Sequence, residues 1–269
     1  MKLRLAVLGA GNMGGAMVAG LMSGKVLRAT QVTIADVDAA RRGGLQKKFG
    51  VRTEKDNRAA AQGADVLALC VKPQQMAPVL AELAGHVGPK TWVISVAAGV
   101  RTESIERVLG KVPVVRVMPN TPALLRAGAL VFSLGRYAGP RHEAVTKRLL
   151  TSLGRVWKVP EDQMDAVTAL SGSGPAYVFY LAECLASAGT KVGLDPAMAE
   201  ALARQTVYGA GRMLAETVEP AAELRRRVTS PGGTTEAALK VLIESGLAKT
   251  FERALLAARQ RSQELSAGQ

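Results

Sequence analysis

The chain has 269 residues and a formal net charge of +13, and 48% of its residues are hydrophobic, 21% charged and only 4% aromatic. This composition excludes a disordered or fibrous chain. The length suffices for one large domain or two ordinary ones. The two cysteines, Cys70 and Cys184, are too few for a disulfide framework, which favours a reducing, cytoplasmic location.

The positive charge is concentrated in the first part of the chain. Residues 1–160 hold 24 Lys and Arg against 9 Asp and Glu, whereas residues 161–269 hold 11 against 13. Such charge can attract nucleic acid or a phosphorylated small ligand, and a solvated basic surface explains it equally well. Because dense basic arms and stacking aromatics are missing, we expect no nucleic-acid partner. No apolar stretch reaches the roughly 18 residues of a membrane span, and residues 1–8 are too short for a signal peptide, so we expect no membrane partner.

The first part of the chain alternates between apolar runs and helical stretches. Residues 3–24 predict a strand, a glycine-rich turn and a helix. Such alternation is typical of a parallel sheet covered by helices on both faces, so we predict an α/β doubly wound domain in residues 1–160. Its further strands are predicted within residues 31–36, 64–73, 91–100 and 112–122, with an edge strand at 128–135.

The second part is predicted to be helical throughout, which places a second, all-helical domain in residues 161–269. Asp195 is the expected N-cap of its second helix, with Pro196 at the first helical position. The predicted helices cover residues 175–193, 195–216, 234–246 and 248–265.

The first of these helices indicates self-association. Residues 177–181 are five consecutive apolar residues, so the helix is apolar on nearly every side, and such a helix is normally buried. A domain of this size needs a partner subunit to bury it. We therefore predict a dimerisation domain, and a homodimer or a ring of dimers.

The turn after the first strand has the G-x-G-x-x-G spacing of a Rossmann-type dinucleotide-binding motif. Gly9 permits the tight turn, Gly11 lets a pyrophosphate approach, and Gly14 lets the helix pack closely on the strand. In this interpretation the helix N-terminus faces the phosphates. The alternative interpretation of the motif is a plain glycine turn. The motif comprises Gly9, Ala10, Gly11, Asn12, Met13 and Gly14.

Asp36 ends the second predicted strand, 22 residues after Gly14. A carboxylate here accepts a hydrogen bond from a ribose 2′-hydroxyl and repels a 2′-phosphate, which favours NAD(H). Arg41 and Arg42 favour NADP(H) instead, unless they form a solvated helix face. The sequence leaves the choice between the two cofactors open.

Three later strands end in segments that would lie at the carboxyl edge of the sheet, where ligands bind in open α/β folds. They are "CVKPQ" (70–74), "SVAAG" (95–99) and "VMPNTP" (117–122). Each segment alone is better explained as an ordinary strand end than as a binding site.

Residues 230–235, "SPGGTT", immediately precede a predicted helix and carry no strongly reactive side chain. Backbone N–H groups at a helix start bind a carboxylate or phosphate readily, so the loop is either an anion cradle or a plain helix cap. Residues 225–227, three arginines, either raise the local potential or form a solvated charge run. No metal-ligand spacing occurs here, and we expect no metal.

Six blocks of the sequence, in order, resemble the pyrroline-5-carboxylate reductase family over roughly residues 3–262. They are "AVLGAGNMGGAM", "VKPQ", "SVAAGV", "RVMPNTPA", "DAVTALSGSGPAYVF" and "VTSPGGTTEAAL". The resemblance implies hydride transfer from NAD(P)H to the C=N carbon of 1-pyrroline-5-carboxylate, giving L-proline. By the same resemblance, the loop 230–235 holds the substrate carboxylate.

The resemblance also implies roles for individual residues. Thr235, the implied catalytic residue, would sit nearest the ring nitrogen, and Asp36 departs from the Ser, Thr or Arg of many members. The implied substrate-binding residues are Glu161, Ser230, Gly232, Gly233, Thr234 and Thr235. Beside the glycine motif and Asp36, the implied cofactor-binding residues are Asn57, Val71, Lys72, Pro73, Ala97, Ala98 and Asn120.

Two alternative functions remain from the sequence. One is a reductase related to the β-hydroxyacid dehydrogenases, which usually need a lysine in the helical half; Lys191 is the only lysine between residues 159 and 239. The other is a nucleotide-binding protein without enzymatic activity, which would bind cofactor without turnover.

Overall fold

A computed structural model describes residues 3–88 and 90–267, and its first part is built on an eight-stranded sheet. The central strands are buried along their whole length and mostly apolar, as expected when helices cover both faces of a parallel sheet. The strands are β1 Leu5–Leu8, β2 Val32–Ala35, β3 Arg52–Glu54, β4 Val66–Leu69, β5 Trp92–Ser95, β6 Val114–Met118, β7 Gly128–Leu134 and β8 Gly154–Lys158.

The strand order is β3-β2-β1-β4-β5-β6-β7-β8, so the chain winds outward from β1 in both directions. The doubly wound fold predicted from the sequence is thereby confirmed. All neighbouring pairs are parallel except β6 and β7, which are antiparallel. The connection between these two strands has no crossover helix, and a parallel pair requires such a crossover.

The prediction of an edge strand at 128–135 is wrong in one respect. The strand exists as β7, but β8 pairs with it on its outer side and forms the edge. Neither edge strand, β8 or the three-residue β3, was predicted from the sequence. Both carry charged, largely exposed residues and have no apolar run that would reveal them.

Twelve α-helices of the described residues complete the chain. Seven belong to the part with the sheet: α1 Asn12–Ser23, α2 Ala39–Phe49, α3 Asn57–Ala61, α4 Met76–Leu83, α5 Thr102–Leu109, α6 Pro140–Leu150 and α7 Met164–Val167. The others are α8 Gly174–Lys191, α9 Pro196–Glu216, α10 Ala221–Arg227, α11 Thr234–Glu244 and α12 Leu247–Ala267.

The chain divides into two compact units. The sheet unit takes in the described residues up to Ser173 together with those from Ala258 onward, and the helical unit is Gly174–Ala257. The domain boundary predicted after residue 160 therefore lies N-terminal to the division between Ser173 and Gly174, because the short helical turns at 161–172 belong to the sheet unit. The end of α12 also groups with the sheet unit, which no sequence pattern indicated.

The helical unit matches the predicted helices closely. Asp195 accepts hydrogen bonds from the backbone N of Ala197 (3.1 Å) and Met198 (3.2 Å), which confirms it as the N-cap of α9. The unit contains no strand among its described residues. The short helix α10, which contains the three arginines 225–227, was not predicted.

The apolar helix α8 is not covered in the single chain. Phe179 and Tyr180 are each 66% exposed, and Val178 and Leu181 are also exposed. Along the part of the chain that the structure describes, none of the helices combines the length and the hydropathy of a membrane span.

The cap of α9 gives a test of stability. We expect Asp195→Ala to lower the free energy of unfolding by about 0.5–2 kcal/mol, because two N–H groups of the first turn lose their acceptor. Asp195→Asn retains a side-chain oxygen acceptor, so it should change stability much less. Urea denaturation followed by circular dichroism measures both, and an equal loss in the two variants would contradict the capping role.

Candidate functional site

The turn between β1 and α1 has the geometry that a dinucleotide motif requires. Gly9 has a φ of +105°, which L side chains rarely adopt, and a Cβ there would lie 2.8 Å from the backbone of Cys70. A Cβ on Gly14 would lie 1.9 Å from the carbonyl O of Gly9, so only glycine lets α1 start this close to the strand. At Gly11, by contrast, a Cβ would meet nothing nearer than Arg41, 4.0 Å away. The turn is therefore closely packed at Gly9 and Gly14 and has free space at Gly11, which fits the pyrophosphate of a dinucleotide.

Asp36, at the end of β2, is tied to this turn. One oxygen of its carboxylate accepts a hydrogen bond from the backbone N of Ala10 (2.6 Å), and the other accepts from the backbone N of Asp38 (2.9 Å). The carboxylate is half-buried beside the first residues of the glycine motif. An acidic group thus stands where the ribose of a bound dinucleotide is expected.

Arg41 and Arg42, the two arginines that favour NADP(H) in the sequence, contact Asp38 and Asp36. Arg41 forms an exposed ion pair with Asp38 (3.2 Å), and the guanidinium of Arg42 donates to the backbone carbonyl of Asp36. The carboxylate of Asp38 therefore offsets the guanidinium of Arg41, whereas Arg42 is held by a backbone carbonyl. A preference for a ribose hydroxyl over a 2′-phosphate at this position stays a prediction, and it depends on the carboxylate of Asp36.

The strand ends that follow β4 and β5 lie at the same sheet edge as the glycine turn. The register pairs Leu8 of β1 with Leu69 of β4, and Leu69 with Ser95 of β5. The segments 71–73 and 96–98 therefore follow neighbouring strands. This sheet edge brings together the glycine motif, Asp36, Val71, Lys72, Pro73, Ala97 and Ala98.

The side chains of Asn57 and Asn120 make contacts within the protein. Asn57 donates to Glu82 of α4 (2.8 Å). Asn120 donates to the carbonyl of Ser171 (3.0 Å) and accepts from the backbone N of Ala129 (2.9 Å), so it holds the connection between β6 and β7. A cofactor contact of either residue stays a prediction.

Glu161 is engaged by the protein at both of its carboxylate oxygens. It accepts from the backbone N (2.8 Å) and the hydroxyl (2.5 Å) of Thr102, the first residue of α5, and from the guanidinium of Arg116 (3.4 Å). Arg116 is only 2% exposed, and its second ion-pair partner is Asp165 (3.8 Å). Glu161 thus caps a helix and neutralises a buried arginine, and its implied contact with substrate stays a prediction.

Sequence reasoning missed this buried cluster. The available signal was Arg116 itself, a charged residue inside the apolar run "VVRVM". A buried guanidinium needs carboxylate partners, but its partners lie on segments far away in the chain, and the sequence does not identify them.

The loop 230–235 lies in the helical unit, directly before α11. Gly232 has a φ of +69°, and its N–H donates to the side chain of Glu236 (2.7 Å). Gly233 is the N-cap, has extended backbone angles, and makes no side-chain capping bond. A Cβ on Gly233 would lie 2.4 Å from the hydroxyl O of Ser230, so this glycine is required by close approach rather than by a positive φ.

The start of α11 offers N–H donors that the helix does not use itself. The helix begins at Thr234, and the bond from the N of Ala237 to the O of Gly233 spans its first turn. The N–H groups of Thr234, Thr235 and Glu236 precede that bond and point out of the helix end. Gly233 provides no side-chain cap, so an anion cradle and a plain helix cap both fit this geometry, and the binding role of the loop stays a prediction.

The arginines upstream of the loop are paired with carboxylates. Arg226 donates to Glu223 (2.7 and 2.8 Å), and Arg227 pairs with Glu219. These exposed pairs support the interpretation of a solvated charge run for those two residues.

Two family models match separate parts of the chain. A family model described as pyrroline-5-carboxylate reductase dimerisation matches residues 161–265, and one described as NADP oxidoreductase coenzyme F420-dependent matches residues 4–99. The first match begins where the second domain was predicted.

Several relatives are similar over nearly their full length. The chain is 45% identical to the pyrroline-5-carboxylate reductase of Pseudomonas aeruginosa, covering 98% of this chain and 97% of the relative. Among solved structures, a pyrroline-5-carboxylate reductase from Coxiella burnetii is 40% identical with a TM-score of 0.94, and covers 99% of both chains. The pyrroline carboxylate reductase of Plasmodium falciparum, solved with NADP bound, is 26% identical with a TM-score of 0.86, and covers 98% of both chains.

The position of Asp36 predicts the choice between the two dinucleotides. We expect the unchanged protein to bind NADH more tightly than NADPH, and Asp36→Asn to shift the ratio of the two Kd values toward NADPH by about tenfold, because one repulsive charge near the 2′-phosphate is removed. The asparagine retains one oxygen acceptor, for the N–H of Ala10, and loses the acceptor that the N–H of Asp38 uses, so the contact with the glycine motif should persist. Titration by nicotinamide fluorescence measures both constants, and an unchanged ratio would remove Asp36 from the ribose site.

Proposed function

The chain belongs to the pyrroline-5-carboxylate reductase family, and we propose that it reduces the C=N bond of 1-pyrroline-5-carboxylate to give L-proline, the last step of proline biosynthesis. The observation that carries the proposal is the match to these reductases over the whole length of the chain at 40–45% identity. The glycine turn and the loop 230–235 provide the two kinds of binding site that such a reaction needs.

The sheet edge holds the cofactor, NADH or NADPH. The glycine turn and the N-terminus of α1 receive the pyrophosphate, Asp36 lies at the ribose, and the loops after β4 and β5 line the nicotinamide end. The open space above Gly11 supports this assignment, because a side chain there would fill the space the phosphates need. When bound, the reduced nicotinamide supplies the hydride that adds to the imine carbon.

The loop 230–235 holds the substrate carboxylate. The N–H groups at the start of α11 donate to it, and the positive end of the helix dipole favours its charge. The hydrogen bond from Gly232 to the side chain of Glu236 supports this, because a carboxylate of the chain itself already accepts from the loop. The loop therefore recognises a carboxylate with backbone groups and needs no reactive side chain.

Thr235 orients the ring nitrogen. A protonated imine is the better electrophile, and its N–H can donate to the hydroxyl O of Thr235. This bond favours the protonated form of the bound substrate, although a threonine hydroxyl is a poor acid.

Burial lowers the pKa of His142, whose ring caps the start of α6 by accepting from the N of Gly139 (3.0 Å). Because its ring nitrogen accepts this bond, the histidine has a structural role at α6, and we expect positioning to supply most of the rate.

A second copy of the chain covers the apolar face of the helical unit. Between α8 and α9 lies an open groove of about 730 Å³, lined by Val178, Phe179 and Tyr208 among others. Large apolar residues exposed on adjoining helices are typical of an obligate interface. The match of this region to a dimerisation model supports a homodimer, or a ring of dimers.

A reducing compartment suits the cysteines. Cys70 and Cys184 are both free thiols. We place the enzyme in the cytoplasm on this ground, since oxidising compartments favour disulfide formation.

The proposed activity predicts cofactor oxidation that depends on the imine. NADH or NADPH absorbance should fall when 1-pyrroline-5-carboxylate is added, with L-proline formed in equal amount. A β-keto acid serves as the control substrate and should give no comparable rate. Turnover of the keto acid with none of the imine would instead favour a relative of the β-hydroxyacid dehydrogenases, and cofactor binding without any turnover would favour a non-enzymatic protein.

Thr235 provides the test of the substrate loop. Thr235→Val keeps the shape and removes the hydroxyl, so kcat/KM for the imine should fall by about tenfold to 150-fold, the cost of one hydrogen bond to a charged group. Thr235→Ser keeps the hydroxyl and should retain most of the activity. Cofactor Kd should not change in either variant, and a parallel loss of cofactor binding would show that the loop only supports the fold.

The apolar face of α8 predicts the assembly. Phe179→Glu places a charge on the exposed face and should shift the protein toward monomer in light scattering coupled to gel filtration. Val218→Glu, which adds the same charge at a fully exposed apolar position between α9 and α10, is the matched control. A Phe179→Glu protein that keeps the mass of the unchanged assembly would contradict the proposed interface.

A further inference from the structure

The end of α12 packs on the loop that follows β5. This loop, residues 96–101, is called the β5 loop and contains Ala97 and Ala98. Gly99 lies in it with a φ of +75°, and a Cβ there would sit 3.3 Å from the Cβ of Leu265 and 3.4 Å from the backbone of Leu265. The last turns of α12 therefore lie directly against the backbone of the β5 loop, and Gly99 is the residue that allows this approach.

A chain of hydrogen bonds and ion pairs connects the same two elements a second time. The hydroxyl of Ser262, on α12, donates to the carboxylate of Asp165 (2.7 Å), and both residues are buried. Asp165 pairs with Arg116 (3.8 Å), and Arg116 pairs with Glu161 (3.4 Å). Glu161 in turn accepts from the N–H and the hydroxyl of Thr102, the first residue of α5, which directly follows the β5 loop.

The burial of this cluster makes its geometry strict. Arg116 is 2% exposed and Asp165 6%, so neither charge can be solvated by water if its partners move. The guanidinium is already short of partners, because its Nε and Nη2 make no hydrogen bond within the protein. Each remaining contact therefore constrains the position of the next group along the chain.

We propose that Ser262 is a positioning residue for the nicotinamide cofactor. It acts through Asp165, Arg116 and Glu161 on Thr102, and so holds the β5 loop where Ala97 and Ala98 line the cofactor. The inference rests on the proposed function for the identity of the ligand. It assigns to the last helix, which the sequence places in the dimerisation domain, a role in cofactor binding.

Two serines of the same helix give a matched pair of variants. Ser262→Ala removes the bond to Asp165, whereas Ser266→Ala removes a bond that stays within α12, to the carbonyl of Ser262 (3.0 Å). Both serines are buried, so the two changes have similar costs in packing. Two measurements made without the imine distinguish positioning from stability: the NADH Kd from nicotinamide fluorescence, and amide hydrogen exchange across residues 96–102.

Ser262→Ala should weaken NADH binding about three- to tenfold, the usual effect of one lost hydrogen bond, and should speed exchange in the β5 loop. Ser266→Ala should leave both within about twofold of the unchanged protein. Equal effects of the two variants, or a lower melting temperature in Ser262→Ala with unchanged Kd and unchanged exchange, overturn the proposal. Because neither measurement needs the imine, a protein that binds NADH but fails to reduce the imine would refute the proposed function while this comparison still decides the role of Ser262.

Discussion

The close approach of Gly14 to Gly9 is the constraint on which the sheet unit depends. With 1.9 Å between a virtual Cβ on Gly14 and the carbonyl O of Gly9, any side chain would push α1 away from the end of β1. That displacement would move the helix N-terminus from the point where β1, β4 and β5 end together. The absence of a side chain at Gly14 therefore determines where the N–H donors at the start of α1 lie relative to the other strand ends.

The two proposed binding sites both use backbone N–H groups at the start of a helix, one in the sheet unit and one in the helical unit. In the sheet unit, a glycine turn leads into α1, and in the helical unit, "SPGGTT" leads into α11. In both, a glycine with positive φ turns the chain and the N-cap residue makes no side-chain capping bond, so backbone N–H groups face outward. One start suits a pyrophosphate and the other a carboxylate, because both ligands are anions that accept several hydrogen bonds at once.

The buried arginine, Arg116, depends on carboxylate partners from other segments of the chain. A lone guanidinium inside the sheet unit would be strongly unfavourable, but Glu161 and Asp165 lie on either side of it. Glu106 lies nearby with one oxygen that has no hydrogen-bond partner, and burial raises the pKa of that carboxyl group. The arrangement connects β6, α5, α7 and α12 through polar contacts.

The sequence by itself determined what depends on local pattern. The central strands could be predicted because burial on both faces demands continuous apolar runs, and the glycine turn, the cap Asp195 and the loop 230–235 could be predicted because each depends on neighbouring residues. The edge strands β3 and β8 could not, since half-exposed strands carry no such run. Only the tertiary structure decided the partners of Arg116 and the place of Ser262, which is 97 residues from Asp165, because contacts between distant segments depend on how the elements pack and leave no periodic signal in the chain.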